Sequence, residues 1–171
     1  MSETNPSPPA PSNYTPLIAG CLGAIVALIA VGLILIWQSR DHWPEITADT
    51  LSAAQMRWQD TQSPSYRLKL KLIGPLAGEV EVTVHQGEPT DLVRDGQEVK
   101  ETRTWKAWTV EGLMHLIRLD LDSVAAEGRD FLYLSGEFDA RSGLPRHYRR
   151  VHFDPPQETG WDIIEWTPEA E

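Results

Sequence analysis

The chain has 171 residues, which is room for one domain of ordinary size. It is acidic, with 25 Asp and Glu against 15 Lys and Arg, and among these charges only Glu3 precedes residue 38. Phosphate binding needs basic surface, so this balance argues against nucleic acid as a partner. The single cysteine, Cys21, excludes a disulfide framework and a cysteine-rich zinc site within one chain.

The N-terminal region divides into a polar tail and a long apolar segment. Residues 1–16 are rich in Pro and Ser, a composition that predicts disorder. Residues 17–37 carry no charge, and a helix of that length rises about 30 Å, the thickness of a bilayer's hydrocarbon core. Ile18–Cys21 matches a lipoprotein consensus, but such a signal needs basic and apolar residues before the cysteine, which this chain lacks. We therefore predict an uncleaved transmembrane helix whose partner is the lipid bilayer.

Two further features of this segment bear on assembly and orientation. Ala19, Gly23 and Ala27 recur at four-residue spacing, which suggests a weak homodimer, although small residues are common in any span. Arg40 follows the span and no basic residue precedes it, a pattern that favours a cytoplasmic C-terminal domain. The family resemblance described below favours the opposite side. We expect a single-pass membrane protein whose C-terminal domain is extracytoplasmic.

A folded domain follows the apolar segment. We predict a linker, the domain and a short tail, at residues 38–45, 46–167 and 168–171 respectively. A helix opens the domain, because Thr47 is a suitable N-cap and Ile46 and Leu51 occupy the flanking hydrophobic positions. Leu51, Ala54 and Trp58 then recur at helical spacing and predict the buried side of that helix.

Two segments alternate strictly between apolar and charged or polar residues. Tyr66–Leu72 reads YRLKLKL and Glu79–His85 reads EVEVTVH. If both apolar faces are buried together, Leu70 lies opposite Val80, and the lysine face of one strand lies beside the glutamate face of the other. The basic residues are therefore interpreted as cross-strand charge partners, in preference to a patch that binds lipid headgroups.

The remaining elements complete an α+β pattern. Asp95-Gly96 predicts a tight turn after a strand at Leu92-Val93. Thr109 can cap a second helix, which carries an apolar stripe and ends at Gly128. Three predicted strands follow, at Phe131–Phe138, Arg146–Phe153 and Trp161–Trp166. The order predicts one small α+β domain with a mostly antiparallel sheet, covered on one face by two helices.

The sequence contains no strong catalytic motif and predicts no cofactor or metal site. Its polar residues concentrate in GEFDARSGLPRHYRRVHFDPP, where two aspartates are expected to bracket a hairpin at comparable heights. The candidate ligand-binding residues are Asp139, Arg141, Arg146, Arg149, Arg150 and Asp154. They suggest an anion or peptide-terminus site, or two carboxylates of a Ca²⁺ site. The alternative is a structural hairpin with capping aspartates and charge-balancing arginines.

The same segment carries a resemblance to a known family. RWQDTQSPSYRLKL, VEVTVHQGEP, TVEGLMHLI and FDARSGLPRHYRRVHFDP occur in the order and spacing of an uncharacterised bacterial domain family of mostly lipoproteins or exported proteins, classed as a domain of unknown function. The similarity covers about residues 53–166 and rests on Trp58, Tyr66 and the Asp-x-x-x-Gly-x-Pro hairpin that begins at Asp139. It implies an exported location and a fold, but no reaction. The family's close cysteine pair is absent here, and its acidic cluster before the last strand is reduced to QET.

Two functional hypotheses follow. The first is a membrane-anchored, non-enzymatic domain that binds a protein or small ligand at the bacterial cell envelope. The second is an envelope hydrolase or metal-dependent enzyme that uses Asp139 and Asp154, which requires a pocket where these groups converge. A third, minor hypothesis is an assembly subunit whose partner is another envelope protein.

Overall fold

The computed structural model describes residues 43–61, 63–128 and 131–169. The predicted N-terminal tail, the predicted transmembrane helix with its small-residue face, and residues 38–42 of the predicted linker lie outside these residues. Among the described residues, no helix is both long enough and apolar enough to cross a membrane.

The described chain forms an α+β domain built on one seven-stranded sheet, in the order β4-β3-β2-β1-β7-β6-β5. Every pairing between these strands is antiparallel, so the predicted α+β domain with a mostly antiparallel sheet is confirmed. The elements in chain order are α1 (Ala48–Thr61), β1 (Tyr66–Ile73), β2 (Gly78–His85), β3 (Glu88–Arg94), β4 (Gln97–Glu98), a 3₁₀ helix (Thr102–Trp108), α2 (Val110–Glu127), β5 (Leu132–Phe138), β6 (Pro145–Phe153) and β7 (Pro156–Pro168).

The first hairpin has the predicted register. Leu70 pairs with Val80, and both side chains are fully buried. The ion pairs run diagonally across the two strands: Lys69 Nζ lies 2.9 Å from Glu79 Oε2, although Glu81 is its directly opposite residue. Long side chains can reach the diagonal neighbour across a twisted strand pair. We call this side of the sheet the charged face.

Both predicted helix caps are present. The Thr47 hydroxyl accepts a hydrogen bond from the Thr50 N–H at 3.2 Å, and the Thr50 hydroxyl accepts one from the Thr47 N–H at 2.9 Å. At α2, the Thr109 hydroxyl accepts the Gly112 N–H at 3.1 Å. Gly128 ends α2 with a φ of 95°, a conformation that suits a residue without Cβ. These contacts satisfy backbone groups that a helix end otherwise leaves unpaired.

The core lies between the two α-helices and the sheet face opposite the charged face. Leu51, Ala54 and Trp58 of α1 are buried there, as predicted, together with Leu113 and Ile117 of α2. Helix α2 contacts β5 and β6 directly. The helices therefore cover one face of the sheet, and any cavity between α2 and the sheet is lined from both layers.

The structure differs from the sequence prediction at the last strand. β7 has 13 residues and pairs with both β1 and β6, so it joins the two halves of the sheet, whereas the sequence predicted a short strand at Trp161–Trp166. Its first part, Gln157–Gly160, is polar and does not alternate, so it carries no strand pattern. Pairing with β6 determines its conformation there. The 3₁₀ helix was likewise not predicted.

Candidate functional site

Asp139 is used by the turn between β5 and β6. Its Oδ1 accepts hydrogen bonds from the N–H groups of Arg141 and Ser142, at 3.0 and 2.9 Å, and from the Ser142 hydroxyl at 3.0 Å. Its Oδ2 lies 3.4 Å from Arg146 Nη2. These hydrogen bonds, above all that from the Ser142 backbone, lower the pKa of Asp139 to about 2. The carboxylate therefore stabilises the turn, and Gly143, with a φ of 75°, completes it.

Asp154 lies far from this turn. It follows the last residue of β6, whereas Asp139 lies before the first. Nine residues of extended strand span on the order of 30 Å. The two aspartates therefore do not bracket the hairpin at comparable heights and cannot share one metal ion. Sequence reasoning missed this because both residues adjoin β6 in the chain, but at its opposite ends.

The two arginines in the middle of β6 lie on opposite faces of the sheet, since neighbouring side chains in a strand alternate. Arg149 lies on the charged face, with Nη2 2.8 Å from Asp162 Oδ1. On the same face His147 Nδ1 lies 2.8 Å from Asp162 Oδ1, and the Trp43 ring stacks on the imidazole at 4.1 Å. This group of ion-paired and stacked side chains fastens the start of the described chain to the sheet.

Arg150 lies on the helix-covered face, where it meets a carboxylate of α2. Its Nη1 lies 3.2 Å from Asp120 Oδ1, and the Tyr148 hydroxyl donates to Asp120 Oδ2 at 2.5 Å. Burial and, secondly, the charge of Asp120 raise the pKa of the Tyr148 hydroxyl well above its usual value. Tyr148 therefore remains a protonated donor. Sequence reasoning singled out Arg150 but neither Asp120 nor Tyr148.

An open cavity of about 510 Å³ lies beside this Asp120–Tyr148–Arg150 network, between α2 and the sheet. The rings of Tyr148 and Trp161 lie against each other in its wall, with their centroids 4.3 Å apart. Apolar side chains from four segments form much of the remaining lining: Leu72, Pro75, Leu76, Trp108, Leu116 and Leu119. The volume and the apolar lining are typical of sites for small molecules.

Two residues that line this cavity each carry a buried N–H group without an acceptor. Trp161 Nε1 and Arg150 Nε are buried, and neither has a hydrogen-bond partner within the described part of the chain. Leaving a buried donor unpaired costs about 1–3 kcal/mol, so such groups are uncommon and call for an explanation. Two further donors of the same kind, Arg57 Nε and Trp166 Nε1, belong to residues outside the cavity lining, so the unpaired donors do not by themselves mark a binding site.

Two other cavities fit a functional site less well. One of about 290 Å³ lies between the start of α1, the end of α2 and β5. Another of about 420 Å³ lies at the start of α2 and includes Glu111. That carboxylate already accepts hydrogen bonds from Trp58 Nε1 at 2.8 Å and from the Tyr66 hydroxyl at 3.3 Å, so it joins α1 and β1 to α2. Within residues 43–61, 63–128 and 131–169, no group of three His, Asp or Glu is placed to hold a metal ion.

No protein-family model matches the chain, and a search of curated proteins found no matching relative. Membership of the bacterial exported family that the sequence resembles therefore stays a prediction.

Proposed function

We propose that this protein is a membrane-anchored, non-enzymatic domain of the bacterial cell envelope that binds an apolar small molecule. The binding site is the cavity between α2 and the sheet. The observation that carries the proposal is the combination, in one open cavity, of an apolar lining with the Asp120–Arg150 ion pair and the Tyr148–Trp161 ring pair.

The lining indicates the chemistry of the ligand. Asp120 and Arg150 balance each other's charge, so the cavity wall offers no unpaired charge for a strongly ionic ligand. An uncharged, largely apolar molecule matches this lining.

The anchor and the location come from the sequence. Residues 17–37 have the length and composition of a transmembrane helix, and the family resemblance implies export. A non-enzymatic role is favoured because the predicted carboxylate pair is separated along β6 and Asp139 is committed to its turn. Alkaline extraction of membranes from expressing cells tests the anchor, since an integral protein remains in the pellet.

Photolabelling of the full chain tests the cavity. The protein is placed in phosphatidylcholine nanodiscs with a small apolar aryl diazirine, irradiated, and mapped by peptide mass spectrometry. We expect saturable labelling of peptides that contain Trp108, Leu119 and Trp161, because these residues line the cavity. An unreactive aryl analogue should compete for it.

A matched pair of tryptophan substitutions locates the binding. Leu119→Trp places an indole at the cavity and should reduce saturable labelling about tenfold, whereas Met56→Trp adds the same group to an exposed position of α1 and should change nothing. Labelling confined to residues 17–37, or equal in both variants, would reject the cavity as the site.

A further inference from the structure

The β1–β2 turn forms one side of the ligand cavity. Pro75 and Leu76 of this turn line the cavity, and so does Leu119 of α2. The side chains of Leu76 and Leu119 are 66 and 48% exposed. A bound apolar molecule would remove part of both surfaces from water, and the burial of apolar surface favours binding. The position of Leu76 therefore contributes to the affinity of the proposed site.

The turn packs closely against the start of β7. Within the turn, the Ala77 N–H donates a hydrogen bond to the Gly74 carbonyl oxygen at 3.0 Å. Gly74 has a φ of 99°, and a Cβ added there would overlap the carbonyl oxygen of Glu158 in β7. A residue without a side chain suits both this conformation and this close approach. The contact with β7 therefore fixes the Gly74 side of the turn.

Arg94, the last residue of β3, holds the turn at Leu76. Its Nη2 donates a hydrogen bond to the Leu76 carbonyl oxygen at 3.2 Å. The next residue, Asp95, supports this contact in two ways: its Oδ1 accepts the Glu79 N–H at 2.8 Å, and its Oδ2 lies 3.8 Å from Arg94 Nε. Arg94 does not itself line the cavity, so an effect of this residue on an uncharged ligand passes through the turn.

We propose that Arg94 is a positioning residue of the ligand site: it holds the Leu76 backbone, so that the β1–β2 turn is a fixed wall of the cavity before a ligand binds. This inference rests on the proposed function. A wall that is already ordered loses less conformational entropy on binding than a mobile one, so the ligand binds more tightly. An ordinary surface ion pair between Arg94 and Asp95 would need no contact with Leu76 and would leave ligand affinity unchanged.

Photolabelling of the full chain in phosphatidylcholine nanodiscs, with the same aryl diazirine, tests this role. Arg94→Ala removes the hydrogen bond to Leu76. Arg103→Ala is the matched control, because it removes the same charge from an exposed arginine of the 3₁₀ helix that pairs with Glu101 and does not line the cavity. Leu76→Ala and the double variant that combines it with Arg94→Ala complete a double-mutant cycle.

We expect Arg94→Ala to raise the probe concentration at half-saturation about threefold and to leave the saturation level unchanged, whereas Arg103→Ala changes neither. A loss of folded protein would instead lower the saturation level. In the Leu76→Ala background, Arg94→Ala should have no further effect, because the side chain that the turn presents is gone. Hydrogen exchange gives a readout without ligand: the Ala77 amide should exchange at least threefold faster in Arg94→Ala than in Arg103→Ala.

The two proposals fail separately. If the parent chain labels saturably and Arg94→Ala has the same half-saturation as Arg103→Ala, the positioning role is rejected and ligand binding stands. A threefold effect that persists in the Leu76→Ala background also rejects this role, because Arg94 then acts by another route. If the parent chain takes no saturable label, the proposed ligand site is rejected, and faster exchange at Ala77 would show that Arg94 orders the turn for the fold alone.

Discussion

The two long hairpins of the sheet distribute their charges differently. β1–β2 keeps its lysines and glutamates on the charged face and buries leucine and valine on the other. β5–β6 places Arg149 on the charged face and Arg150 on the helix-covered face. The first hairpin is therefore a scaffold with simple alternation. The second hairpin places a charged side chain, that of Arg150, between the sheet and α2, where the cavity lies.

This difference has an energetic counterpart. Exposed ion pairs such as Lys69–Glu79 contribute little, because water screens them and two long side chains must be ordered. Asp120 is largely withdrawn from water, with a side chain 16% exposed, so its pairing with Arg150 offsets a desolvation penalty. Replacement by apolar residues would avoid that penalty. The pair is therefore better explained by a role in the cavity wall than by stability.

The largest expected effect lies in the core of the first hairpin. Leu70→Ala should lower the free energy of unfolding by about 2–5 kcal/mol, because Leu70 is fully buried and truncation leaves a cavity. Lys69→Ala is the matched control on the neighbouring residue, and its effect should be far smaller. Urea denaturation measures both. Comparable losses in the two variants would mean that the charged face contributes more than exposed ion pairs do.

An intermediate effect is expected at Asp120 of α2, which contacts the second hairpin. Asp120→Ala removes the carboxylate from Arg150 and the acceptor from Tyr148, and should cost about 2–3 kcal/mol. Asp120→Asn retains an acceptor for the Tyr148 hydroxyl and should cost less. Thermal and urea unfolding check the ranking. An alanine variant as stable as the parent would show that Arg150 finds water or another partner, and would weaken the buried-network interpretation.

The smallest expected effect concerns the turn of the second hairpin and depends on pH. The folded-state pKa of Asp139 lies below the unfolded value of 3.8, so its charge stabilises the fold above about pH 4, and this contribution is lost as the pH falls towards 2. Asp139→Asn should therefore cost about 1–2 kcal/mol at pH 6, discounted for partial exposure, and almost nothing at pH 2. Asp154→Asn, in the exposed β6–β7 turn, is the matched control. A difference between parent and Asp139→Asn that does not shrink with acidification would exclude the charge as its cause.

The sequence pattern was sufficient to predict a feature wherever the residues that determine it lie close together in the chain. The register of β1 against β2, the caps at Thr47 and Thr109, and the end of α2 at Gly128 all depend on residues close in the chain, and all were predicted. β7 shows the limit. Its first part, Gln157–Gly160, is extended because β6 supplies hydrogen-bond partners, and no local pattern reveals that.

The candidate site was predictable only in part. Arg150 was identified because it lies in a conspicuously basic segment, but its grouping with Asp139 and Asp154 assumed that neighbours in sequence share a site. The actual partner, Asp120, lies on a helix 30 residues earlier in the chain. Its one signal is a carboxylate placed directly before Leu121, within the apolar stripe of α2. That signal is equally compatible with a solvated helix edge.

The sequence by itself determined the apolar segment 17–37, the acidic balance, the α+β class and the first hairpin, because each follows from composition or from short-range periodicity. Only the tertiary structure decided which arginine faces α2, that Asp139 and Asp154 lie at opposite ends of β6, and that a cavity opens between α2 and the sheet. These features depend on contacts between segments far apart in the chain. Periodicity reports which side of an element is buried, but the neighbour that buries it is chosen by packing.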